Sequence, residues 1–206
     1  MINFTRSLLV RSVVLGSLVF VAGNVISAQT PSASPPNITG IGKYVRADAE
    51  TRRKRYLREI FGYTTALKNI ASAGIATWTN EPKEWRPTWN GFGKRVASNY
   101  GKDIIKYSVR YGMDEALKLD SHYIRADKAS VSAKVKNAFI SPFTARTVSG
   151  KRVVGVPNLV GTYAANIIAV EAWYPKRYDF ADGLKSGTIS LGTSVLFNLV
   201  REFIKK

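Results

Sequence analysis

The chain contains no cysteine, a single histidine and only 14 acidic residues among its 206. Without cysteine there can be no disulfide, no thiolate zinc site and no cysteine nucleophile. One histidine, His122, excludes any centre built on two imidazoles. The G-x-S-x-G elbow, the phosphate-binding P-loop, the HExxH helix and the EF-hand spacing are all missing. No cofactor and no metal is therefore expected, and no nucleophile can be named.

What the sequence has in quantity is positive charge. It carries 31 Lys and Arg residues, for a formal net charge of +17. At 45% hydrophobic and 22% charged residues, the composition is otherwise that of an ordinary folded domain.

Residues 1–28 hold no acid, and Arg6 and Arg11 precede an apolar run from Ser12 through Ile26. With Ile26-Ser27-Ala28 as the boundary, these features predict a secretory signal peptide over 1–28. An uncleaved anchor is the alternative, although Gly16, Gly23 and Asn24 dilute the run. Cleavage after Ala28 removes two cations and leaves a mature charge of +15. Residues 29–42, QTPSASPPNITGIG, are predicted to be a flexible Pro/Ser/Thr linker, poor in the apolar surface that folding needs. Asn37-Ile38-Thr39 fits the glycosylation sequon. The expected location is the periplasm or cell envelope, the outer membrane included, with residues 43–206 as a single helical domain.

The expected fold class is mainly α: a compact helical bundle with small-residue seams and one short β-hairpin near 143–156. Leu57, Phe61, Thr64, Leu67, Ala71, Gly74 and Trp78 recur every three or four residues. The spacing predicts one helix from about Ala47 to Trp78 with these residues on its apolar face. A second helix is expected over 91–119, where Gly93, Ala97, Gly101, Ser108, Gly112 and Ala116 share a side. Gly101 and Gly112 are expected to face a helix or a ring at close range. Similar seams recur at Gly161, Ala165, Ala169 and Ala172, and at Gly183, Gly187, Ser190 and Ser194. Such spacing lets helix backbones approach, and it also suits a homo-oligomer. Ser149-Gly150 supplies the hairpin turn.

Residues 158–174 are the best candidate for a membrane span, at the lower limit of length, although the central helix of a bundle fits them better. Glu171 on this helix is expected to be a buried, paired acid.

The stretches EPKEWRPTWNGFGKRVASNYG, DSHYIR, RTVSGKR and GLKSGTISLGTSVLFNLVREF follow one another between residues 81 and 203. In this order they resemble a family of exported bacterial proteins of unassigned function. The resemblance covers roughly residues 56–206 and implies an envelope or secreted location, with no activity to carry over.

Three functions suit these features. The first is a non-enzymatic envelope protein on a membrane surface. Arg52, Arg53, Lys54, Arg55 and Arg58 would bind anionic lipid, and Trp78, Trp85, Trp89 and Trp173 would sit at the interface. The second is an exported hydrolase-like enzyme using His122 with Asp120 or a carboxylate brought close by folding, and Arg125 to bind an anion. The third is a binding module for an acidic envelope polymer. Export argues against nucleic acid as the partner.

Overall fold

The computed structural model describes residues 44–126 and 129–204, so the expected signal peptide (1–28) and nearly all of the expected linker and its sequon lie outside the described residues. Helix α1, Ala49–Phe61, begins at Asp48, whose carboxylate accepts the Thr51 N–H. Helix α2, Tyr63–Trp78, follows after one residue. The single long helix expected over 47–78 is thus two. At Gly62 the backbone turns extended (φ −70°, ψ 151°), and its N–H closes α1 on the Arg58 carbonyl. A Cβ there would lie 2.2 Å from that carbonyl oxygen, so the break requires glycine.

A turn with a short 3-10 segment, Lys83–Trp85, leads to α3, Trp89–Ala116, capped by Thr88. Arg95 ties this turn down. It is buried, and its guanidinium donates to the carbonyls of Glu81, Pro82 and Arg86, each at 2.9 Å. The Pro-x-x-Trp stretch and the basic helix after it therefore form one hydrogen-bonded knot.

Strand β1, Leu119–Asp120, pairs antiparallel with β2, Thr144–Thr147, which pairs with β3, Arg152–Val154. The β2–β3 pair is the expected hairpin, with Gly150 at φ +85° in its turn. Helix α4, Val131–Ile140, precedes β2; helices α5, Val156–Ala172, and α6, Phe180–Phe203, follow β3. The architecture is mainly α, with a small antiparallel sheet at one side.

Helix α5 packs between α3 and α6. At Gly161 an added Cβ would lie 2.6 Å from the Lys106 carbonyl oxygen of α3. At Gly187 it would meet the Tyr163 ring at 2.5 Å, and at Gly183 the Ile167 Cα at 2.9 Å. Small residues therefore let these three helices touch along their backbones. Most of the buried apolar residues are correspondingly small: alanines 47, 73, 138, 145, 165 and 169, joined by Tyr56, Ile60, Val170, Leu191 and Val195.

The α3 seam needs correction. Gly101 meets the Trp173 ring at 3.3 Å, but Gly93 and Gly112 have nothing within 4 Å of an added Cβ. The buried face of α3 runs instead through Gly91, Arg95, Ser98, Asp103 and Asp114. Its inward residues are selected by hydrogen bonds, which a pattern of small residues does not report. Glu171 is also exposed, unlike the buried pair expected of it. No described helix is long and apolar enough to cross a membrane, so 158–174 is a bundle helix.

Candidate functional site

The polarity of the molecule is inverted along α2. Its inward residues are Thr65, Asn69 and Ala73, and its one charged residue, Lys68, also turns inward. Lys68 Nζ lies 2.8 Å from Asp103 of α3, and the Asn69 amide donates to the same carboxylate at 2.9 Å. The outward face carries Tyr63, Leu67, Ile70, Ile75 and Trp78, with Thr64, Ala71 and Gly74 between them. That face holds no charge at all. Phe61, at the end of α1, extends it, and Trp89, at the start of α3, stands 89% exposed near Trp78, itself 87% exposed, in sequence.

The seven residues that share one helical face by their spacing, from Leu57 to Trp78, are all on the surface. Spacing identified a face correctly but not its direction. The inward direction is set by Asn69 and Lys68, which have partners on α3 and would be costly to bury without them.

The four tryptophans divide. Trp78 and Trp89 project outward, while Trp173 donates its indole N–H to Ser98 at 2.9 Å and covers Gly101. Trp85 packs against the Tyr174 ring and lies under Arg95.

The basic run divides in the same way. Arg52 grips Glu115 through two hydrogen bonds of 2.6 and 2.7 Å, and Arg55 lies 3.8 Å from Asp120. Both serve the α1–α3 and α1–sheet contacts. Arg53, Lys54 and Arg58 are exposed, and Lys54 pairs with Glu50 one turn earlier. Lys83, Arg86 and Lys94 are exposed near the two outward tryptophans in the chain.

His122 does gain a carboxylate by folding, and it is Glu59 of α1, at 3.2 Å from the ring Nδ1. Glu59 also pairs with Arg110 of α3. Burial alone would raise the Glu59 carboxyl, but the Arg110 guanidinium and His122 outweigh it and hold the group at about 2. These partners thus favour the ionised form of Glu59. Asp120 faces elsewhere: it accepts the Tyr44 hydroxyl at 2.6 Å and the His122 backbone N–H at 2.9 Å. Arg125 reaches the carbonyl of Glu202 at 3.5 Å. Among the described residues, the ring's hydrogen-bond partner is Glu59, and no hydroxyl bonds to it.

Glu202, missed in the sequence, anchors the end of α6. It accepts hydrogen bonds from the Tyr123 hydroxyl, the Asn137 amide (2.7 Å) and the Ala126 N–H (3.1 Å). Burial works against its charge, and these donors keep its pKa below the usual value. Comparison with protein-family models, curated proteins and solved structures finds no match. Among the described residues, no acids and histidines cluster as a metal site would require.

Proposed function

We propose that this is an exported, non-enzymatic envelope protein that lies on an anionic membrane surface through the outer face of α2. The observation that carries the reading is the uncharged, apolar outer face of a helix whose single cation is directed inward. Large exposed apolar patches mark interaction surfaces. An interfacial helix buries such a face at the level of the lipid headgroups, where tryptophan is favoured and nearby cations meet anionic lipid.

Trp78 and Trp89 provide the aromatic anchors, and Arg53, Lys54 and Arg58, with Lys83, Arg86 and Lys94, provide the charge. Each cation held near an anionic surface contributes about 1 kcal/mol, a contribution that falls with salt. Arg52 and Arg55 drop out of this set because their charges are engaged in half-buried pairs, unlike Lys54, whose pair with Glu50 is exposed.

A second copy of the chain is the other occupant with a specific observation behind it. Gly74 on this face has nothing within 4 Å, which leaves room for a helix to approach.

Sedimentation of residues 29–206 with phosphatidylglycerol vesicles and with phosphatidylcholine vesicles tests the reading. Binding to the first, weakened by salt and abolished in Leu67→Glu/Ile75→Glu, is expected. Binding that ignores this double variant would instead favour an acidic-polymer site elsewhere on the basic surface. A dimer that the variant converts to monomer, without vesicle binding, would favour the second copy.

A further inference from the structure

Arg146 and Arg152 stand directly opposite each other on β2 and β3, and Asp120 of β1 stands opposite Arg146 on its other side. Directly paired residues project to the same face of a sheet, so the three side chains form a row. Together with His122, Ser141 and Thr144 they line a small cleft. Like charges in directly opposed positions repel, and such a pair is destabilising unless something of opposite sign lies between.

The one carboxylate in this row is already engaged elsewhere. The Asp120 carboxylate is engaged by Tyr44 and the His122 N–H, and it already has Arg55 at 3.8 Å. Arg55 and, from the neighbouring strand, Arg146 thus stand near one carboxylate. Arg146 lies over the Tyr44 ring at 5.4 Å and donates to the Gly150 carbonyl at 3.4 Å. Arg152 donates to the side-chain oxygen of Asn137. Among the described residues, neither has a carboxylate within ion-pair distance. Burial, and then the charge of Arg146, push the Arg152 guanidinium below its ordinary pKa.

We propose that this cleft binds a compact phosphate-type oxyanion between the guanidinium groups of Arg146 and Arg152. Guanidinium forks match phosphate geometry and hold it through charge-assisted hydrogen bonds. The enclosed part of the cleft has room for about one water molecule, so a single phosphoryl oxygen enters while the rest of the group stays outside. That geometry accepts free phosphate and a terminal phosphate monoester alike. The inference does not depend on the α2 surface, because it can be read in solution without vesicles.

The test is the melting temperature of residues 29–206 in sodium phosphate against sodium chloride at equal ionic strength, with calorimetric titration of phosphate. The parent is expected to melt a few degrees higher in phosphate. Arg152→Gln is expected to melt at or above the parent in chloride, since the repulsion is relieved, and to lose the response to phosphate. If that variant does not fold, Arg152→Lys keeps the charge and should bind phosphate about tenfold more weakly, the loss of one charge-assisted hydrogen bond. A response to soluble short-chain phosphatidic acid, but not to inorganic phosphate, would support the site and assign the oxyanion to a lipid headgroup. No response to either in the parent would overturn the proposal. An equal response in the parent and in the Arg152 and Arg146→Gln variants would overturn it too, by placing the anion elsewhere.

Discussion

Helices α2 and α5 have 16 and 17 residues and a single charge each, yet they meet their surroundings in opposite ways. On α5 the charge, Glu171, faces solvent, while Gly161, Ala165 and Ala169 press against neighbouring helices. On α2 the charge, Lys68, faces inward, while Leu67, Ile70, Ile75 and Trp78 face out. Apolar character alone therefore does not set which side of a helix is inside. A face turns inward where it has a close fit or a polar partner waiting. Helix α5 has the first and α2 the second, which leaves the apolar side of α2 for something else to cover.

The sharpest way to break this contrast is to remove the partner that holds α2. Asp103→Ala leaves Lys68 and Asn69 without their shared carboxylate. Breaking a buried pair costs roughly 3–5 kcal/mol, and the low end is expected because Lys68 retains 27% of its side-chain exposure. Thermal melts report the loss.

A matched pair of glycine substitutions comes next. Gly161→Leu must separate α3 from α5, because backbone lies 2.6 Å from the new Cβ, and should cost about 3 kcal/mol, the top of the usual range for overpacking. Gly74→Leu on the outer face of α2 meets nothing and should melt at or above the parent, since glycine costs a helix about 1 kcal/mol. Equal losses at both positions would mean that the outer face of α2 is covered within the chain.

Acid sharpens the comparison because it acts on the charged interior and spares the neutral outer face. The folded state holds Glu59 at about 2 against an ordinary 4.5, so its contribution is complete above 4.5 and is lost as pH falls toward 2. Glu59→Gln should flatten that part of the acid-unfolding curve followed by circular dichroism. The smallest effect is expected at Gly101, where the Trp173 ring sits 3.3 Å from an added Cβ and can shift by a few tenths of an ångström. Gly101→Leu should cost about 1 kcal/mol, the low end for overpacking.

The helices other than Val131–Ile140, the hairpin and the α5 and α6 seams were legible because each rests on local spacing or on turn chemistry. The break at Gly62 was not, since one glycine in a periodic run gives no local sign of an extended turn. The direction of the α2 stripe was hidden for a different reason: Asn69 and Lys68 look like surface residues until Asp103, more than 30 positions away, is brought against them. The partner of His122 was hidden in the same way, because Glu59 lies 63 positions earlier. The opposed pair Arg146 and Arg152 depends on the hairpin register, since a two-residue Ser149-Gly150 turn would instead set Thr147 against Arg152.

The most direct measurement of the central claim is quenching of tryptophan emission by brominated lipids in phosphatidylglycerol vesicles. The account predicts strong quenching in the parent, carried by the outward Trp78 and Trp89, and markedly reduced in Trp78→Phe. Emission left unquenched in the parent, at low salt and with excess vesicles, would contradict it.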